Sequence, residues 1–110
     1  MVVDQLSDDE VDRLFHALAD RTRRDLLRRA LDDERSISDL ARHYPISLTA
    51  VQKHVAVLVE AGLVVRHRTG REVRLTGDPA ALARARELLD TYEQLWRDRL
   101  DRMGDLLASP

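Results

Sequence analysis

The sequence predicts a mainly α-helical fold with one small β-hairpin, and three observations predict it. Over most of the chain, apolar residues recur at helical spacing between clear helix start and stop residues. The exception is LVVRHRTGREVRL, residues 63–75, where strand-favouring Val64, Val65, Val73 and Leu75 flank the turn Thr69-Gly70-Arg71. Beyond residue 78 only Gly104 interrupts a helical pattern that runs to about residue 107.

Taken in order, Ser7-Asp8-Asp9-Glu10 has capping-box spacing: the serine caps the helix start and the glutamate reaches back to it. The helix it opens puts Val11, Leu14, Phe15 and Leu18 on one face. Asp20 caps a second helix, RTRRDLLRRAL, whose apolar face is Leu26, Leu27, Ala30 and Leu31. Asp32-Asp33-Glu34 ends it, because negative charge opposes the helix dipole at a C-terminus. Ser36 caps a short third helix, ISDLARHY, stopped by Tyr44-Pro45 because a residue before proline avoids the helical region. Ser47 caps a fourth, LTAVQKHVAVLVEA, which Gly62 terminates. The third and fourth helices are joined by a turn of about four residues, the helix-turn-helix spacing. After the hairpin, Asp78 is an N-cap and Pro79 takes the first position of the last helix.

With 110 residues the chain is expected to form one domain, 1–110, comprising a helix-turn-helix at 36–62, a hairpin at 63–76 and a long helix at 79–107. It has no cysteine, so neither disulfides nor thiolate metal sites are available. No apolar run approaches the ~20 residues of a membrane span. The acidic opening, MVVDQLSDDEVD, lacks the apolar stretch of a signal peptide, and a cytoplasmic location is expected. Net charge is −2, but unevenly placed. Residues 42–74 carry Arg42, Lys53, Arg66, Arg68, Arg71 and Arg74 against Glu60 and Glu72, a local excess of +4 in a chain that is otherwise −6. That segment is either an anion-binding face or a solvated hairpin.

Taken alone, the polar face of the fourth helix reads as an ordinary solvated face; the short turn before it, the glycine stop after it and the basic hairpin directly beyond shift the balance to the first reading. At about 100° per residue, Val51, Val55 and Leu58 fall on one narrow face, expected against Ile37, Leu40 and Ala41 of the third helix. Thr49, Gln52, Lys53 and Ala56 fall opposite, with His54 on the flank. Gln52 can pair bidentately with adenine in a major groove, and Lys53 can reach guanine or phosphate. Ala50 and the small polar Ser47 and Thr49 allow close approach, and the capped N-terminus offers amides to a phosphate. Arg66, Arg68, Arg71 and Arg74 surround Gly70 in the hairpin; Arg66, Arg68 and Arg74 are read as sharing strand parity, with His67 on the other face. A helix-turn-helix followed by a basic hairpin is a winged helix, its wing suited to the DNA backbone or a minor groove.

These stretches, LFHALADRTRRDLLRRAL, ISDLARHYPISLTAVQKHVAVLVEAGLV and the basic hairpin, resemble the ArsR-type winged-helix repressors. The resemblance covers residues 11 to about 76, and the long last helix agrees in length and place. It implies a small homodimeric repressor that binds double-stranded DNA at a palindromic operator, often at its own promoter. Two departures stand out. Arg21 occupies a position where the family commonly has proline, which bears on the start of the second helix. Family members also sense soft metals through third-helix cysteines, or zinc through Asp, His and Glu of the last helix. Here there is no cysteine, residues 78–110 hold no histidine, and His16, His43, His54 and His67 make no pair at three- or four-residue spacing. No metal site and no cofactor are expected, and the chain does not name an effector.

In the last helix Leu82, Leu89, Trp96 and Met103 recur at intervals of seven, with Leu88 and Leu95 alongside and Ala85, Tyr92 and Leu106 between. A helix of 28 residues is roughly 42 Å long, and a domain of this size is about 30 Å across, so the stripe overhangs its own domain. A twofold dimer covers it, with Leu14, Phe15 and Leu18 of the first helix joining Leu82, Leu89, Tyr92, Trp96 and Met103. No nucleophile stands beside a base, and there is no Gly-rich phosphate loop, so an enzyme is not expected. The competing reading is a winged-helix protein-interaction module without specific DNA binding.

Overall fold

The computed structural model describes residues 6–108, so the first five residues of the acidic N-terminal stretch lie outside the described residues. Every helix in it begins where a side-chain oxygen takes an amide that would otherwise be unpaired. Ser7 opens α1 (Asp8–Leu18): its Oγ accepts from the Glu10 amide at 3.2 Å while Glu10 Oε1 accepts from the Ser7 amide at 3.1 Å. Asp20 opens α2 (Arg21–Asp32) by accepting from the Arg23 amide at 3.0 Å, so α2 starts cleanly with Arg21 at its first position. Ser36 opens α3 (Ile37–Ala41) and Ser47 opens α4 (Leu48–Glu60), each accepting at 3.1 Å from the amide three residues on. Asp78 opens α5 (Pro79–Ala108) by accepting from Ala80 at 3.0 Å.

Three details differ from the sequence reading. The third helix ends at Ala41, ahead of Tyr44-Pro45; the amides of His43 and Tyr44 then bond three residues back, to Leu40 and Ala41, in a tightened end. The link to α4 is correspondingly longer than the expected turn. The hairpin, β2 (Val64–Thr69) with β3 (Glu72–Gly77), is joined by a third strand, β1 (Arg35–Ser36), in the order β1-β3-β2, all antiparallel. Two residues are too few to show any periodicity, so β1 was not legible. Finally, Arg74 does not share a face with Arg66 and Arg68. The hairpin closes over two residues, Thr69 pairing with Glu72, so cross-strand partners have opposite parity. Arg74 therefore stands directly opposite His67, and Arg66 opposite Leu75. Gly70 at φ +63° with Arg71 on the ordinary side has the sign pattern of a primed hairpin turn.

The core gathers Leu14, Leu26, Leu40, Val51, Val55, Leu58, Leu63, Val64 and Leu75, all essentially inaccessible. Gly62, at φ +76°, ends α4 and lets the Leu63 amide reach the Leu58 carbonyl at 3.0 Å, which turns the chain into β2. α5 meets this core only through its first turns, where Ala81 and Ala85 are buried and Leu82 packs alongside. From Leu89 onward every described residue of α5 is exposed, and Gly104 does not interrupt the helix. The molecule accordingly measures 72 × 33 × 24 Å. Leu31, expected on the inner face of α2, is largely exposed but lies against Gly77 at the end of β3.

Polar side chains of α2 tie the helices together. Asp25 accepts from Tyr44 Oη at 2.6 Å, Arg29 Nε at 2.8 Å and Arg28 Nη2 at 2.9 Å, which pins the turn between α3 and α4 to α2. The Tyr44 hydroxyl and the two guanidinium groups hold the Asp25 carboxyl well below its ordinary 3.8, while burial and that carboxylate push the Tyr44 phenol up to about 12.

Removing the tyrosine hydroxyl with Tyr44→Phe should cost about 1–3 kcal/mol in urea unfolding at neutral pH. A carboxyl held below its unfolded value stabilises the fold above the carboxylate range and loses that contribution as pH falls through it. The stability gap between wild type and Asp25→Asn should therefore shrink between pH 5 and pH 2, roughly the span of carboxylate titration. In a second test, Gly77→Ala would place a Cβ 3.0 Å from the Leu31 Cα, a backbone atom that cannot swing away. Overpacking of this kind should lower stability by about 1–3 kcal/mol, read as a fall in Tm.

Candidate nucleic-acid interface

α4 presents two unlike faces. Val51, Val55 and Leu58 are sealed into the core, packed with α3 and α2. Ser47, Thr49, Gln52 and Lys53 are exposed, and Ala50 and Ala56 are half-buried beside them. The amide of Gln52 and the ammonium of Lys53 thus project from a helix whose opposite side is fixed. Ser47 Oγ accepts the Ala50 amide, which leaves its hydroxyl hydrogen to donate outward.

His54 is placed differently from its neighbours. Its ring turns toward the start of α2, with Nδ1 3.2 Å from Arg23 Nη1 and 3.8 Å from Asp20 Oδ2. An arginine donor at that distance makes Nδ1 an acceptor. Arg23 does more: its Nε donates to the Ala17 carbonyl at 3.0 Å and its Nη2 to the His16 carbonyl at 2.9 Å, while Arg24 Nη1 donates to the Leu18 carbonyl at 2.8 Å. These carbonyls end α1, so the two arginines satisfy acceptors that a helix leaves open. Arg23 was not singled out from the sequence; the signal available was the run RTRR directly after a helix end.

The wing divides likewise. Arg66, Arg68 and Arg71 are exposed along β2 and the turn. Arg74 is half-buried, its Nε 2.9 Å from Glu34 Oε1 and its Nη1 2.9 Å from Glu72 Oε2. His67 Nε2 lies 2.6 Å from the same Glu34 oxygen, and the His67 contact, with Arg74 behind it, holds the Glu34 carboxyl below the ordinary range. Glu72 orients Arg74, as a neighbouring carboxylate can. Glu34 was read from the sequence only as part of a helix stop; here it fastens the wing to the segment after α2.

On the other side lies the apolar stripe of α5. Leu89, Tyr92, Trp96 and Met103 are each about half exposed, and Leu95, Leu100, Leu106 and Leu107 extend the stripe. Arg99 stacks on Trp96, its guanidinium carbon 5.5 Å from the ring centroid. Phe15 is 37% exposed on α1, whereas Leu18 and Leu82 are partly covered by the protomer core. Leu14 corrects the expectation for it: at 1% exposure it is part of the core and has no surface to offer a partner.

Among the described residues no three His, Cys, Asp or Glu side chains gather to hold a metal ion, and no helix is long and apolar enough to cross a membrane.

A helix pair with an exposed polar recognition face, a basic two-stranded wing and a long terminal helix define a winged helix-turn-helix protein. Residues 18–67 match the family model described as a helix-turn-helix domain. Over 98 residues the chain is 36% identical to the HTH-type transcriptional regulator Rv2034 of Mycobacterium tuberculosis, covering 89% of each chain. It superposes on an ArsR-like transcriptional regulator from Rhodococcus sp. RHA1 with a TM-score of 0.80 at 31% identity, covering 93% of this chain and 96% of that one. The fold is also that of a homodimeric winged helix-turn-helix DNA-binding domain, Mb0332, from Mycobacterium bovis (TM-score 0.63, 24% identity, 84% and 91% covered). The chain belongs to the ArsR-type winged helix-turn-helix family of DNA-binding transcriptional regulators. That is not a family of enzymes, and its membership gives no support to a protein-interaction module without DNA binding.

Because Arg71 is free at the wing tip and Arg74 is held by two carboxylates, their alanine variants should differ. Arg71→Ala should weaken DNA binding and lower the slope of log affinity against log salt by about 1. Arg74→Ala should change that slope less, as measured by anisotropy titration at several salt concentrations.

Proposed function

We propose that the chain is a homodimeric repressor that binds a palindromic operator, with α4 in the major groove and the β2–β3 wing on the backbone or in a minor groove. The observation that carries this reading is the division of α4: a fully buried Val51/Val55/Leu58 face holds Thr49, Gln52 and Lys53 out to solvent, immediately before a hairpin with three free arginines. Gln52 and Lys53 read base edges, and Ser47 and the α4 amides bind a phosphate. Arg66, Arg68 and Arg71 contribute phosphate or minor-groove contacts. His54 and Arg74 act through position, the one seating α4 on α2, the other bracing the wing. The α5 stripe, with Phe15 beside it, joins two copies about a twofold axis. The two recognition helices then meet half-sites about 34 Å apart, one turn of DNA. The whole chain works as one domain, with residues 36–62 reading, 63–76 bracing and 79–107 pairing.

The test is a titration of the protein into labelled duplex from upstream of its own gene, against a scrambled duplex, at two salt concentrations. The expected result is a preference of about a hundredfold or more, steep salt dependence and a footprint of two half-sites. Equal, weak binding to both duplexes that vanishes at moderate salt would overturn the proposal for that operator.

A further inference from the structure

The first turns of α1, the end of α4 and the start of α5 enclose a cleft of about 100 Å³. A single water needs roughly 10–15 Å³ of such space, so the cleft admits a small organic molecule. Its walls are apolar at Leu6, Leu14, Ala61 and Ala81, and Arg13, Glu60 and Arg84 line it with them. The protein leaves each of these charged groups incomplete. Arg84 Nε is buried and has no hydrogen-bond partner, an arrangement that costs free energy and is rare in folded proteins. Among the described residues Arg13, Glu60 and Arg84 make no ion pair. Glu60 is also the last residue of α4, where its charge opposes the helix dipole. Glu10, the other carboxylate at the cleft, is already committed to Ser7 as the α1 cap. The bonds to Ser7 and, less strongly, the charges of Arg84 and Arg13 hold its carboxyl below the ordinary range, yet the Arg84 donor stays unfilled.

We propose that this cleft binds a small zwitterion, an α-amino acid with a short aliphatic side chain. Its carboxylate accepts from Arg84 and neutralises Arg13, its ammonium meets Glu60 at the negative end of α4, and its side chain lies on the leucine and alanine walls. A simple anion would add a second negative charge beside Glu60, and a simple cation would leave Arg84 unfilled. The cleft lies apart from the outward face of α4 and from the α5 stripe, which begins at Leu89. It does touch the point where α4 turns into the wing. Gly62 lines it, and the next residue, Leu63, accepts the Asp78 amide at 2.8 Å, directly before α5. The bound amino acid bridges α4 to α1 and α5 and acts as an effector: it changes DNA affinity, and DNA changes its affinity by the same factor. The effector role rests on the DNA-binding reading above; the binding site does not.

The test is calorimetric titration of the full chain with L-valine, and with isovalerate and isobutylamine, which each keep one of its two charges. L-Valine should bind at roughly 1 mM or tighter, and each single-charge analogue about tenfold or more weakly than that. Arg84→Gln and Glu60→Gln should each weaken L-valine by about tenfold or more. Glu60 is exposed, so its variant keeps the fold, and isovalerate should bind that variant no worse than wild type. Equal binding of isovalerate and L-valine to wild type would overturn the zwitterion assignment. L-Valine binding unchanged in both variants, or no heat at about 10 mM L-valine, would overturn the site. In the DNA titration described above, L-valine should move the midpoint for wild type and not for Arg84→Gln. DNA binding that L-valine leaves unmoved would overturn the effector role, whereas absent DNA binding would overturn the operator reading and leave the site to calorimetry.

Discussion

Arg23 settles the positions of three helices with one guanidinium. Two of its nitrogens close the last carbonyls of α1, a third meets His54 of α4, and its own amide is the cap bond of α2. α1 and α2 are separated by only two residues, so a flexible joint there would let the recognition helix drift relative to the rest of the protomer. Asp25, two residues further on, repeats the arrangement by taking Tyr44 from the segment that leads into α4. α4, whose outward residues stay exposed, is thus clamped to α2 directly through His54 and through Tyr44 of the segment before it, by charge-assisted bonds of the stronger kind. This division lets the outward residues of α4 vary without loosening the frame.

The wing is fastened by the same means. A β-hairpin alone is marginal, and this one gains the short strand β1 on its β3 edge and the Glu34 contacts to Arg74 and His67. Three of the six charged or imidazole groups along it, His67, Glu72 and Arg74, are therefore paired, and Arg66, Arg68 and Arg71 are left free. A basic hairpin carries less free charge toward DNA than its composition suggests.

Much of this was legible. All five helix starts could be read because a capping oxygen is a local signal, and so could the Gly62 stop and the hairpin turn at Gly70. The recognition face of α4 followed from three valine and leucine positions at helical spacing. What could not be read was set by partners distant in sequence. His54 looked like a flank residue until Arg23, 31 residues away, was beside it. Arg74 looked free until the hairpin register placed it with Glu34, and Leu14 fell within the apolar face of α1 but turned to the core. Local rules give the elements; they do not say which polar side chain will spend itself on another element.

The overhang of α5 has a consequence for when the protein is folded at all. Its distal turns receive no packing from their own domain, and an isolated helix of that length is marginal in water. Any chain that covers the stripe therefore stabilises the helix as well as the assembly, because binding and helix order share one free energy. Strengthening the contact and strengthening the distal turns of α5 are, for this segment, the same change.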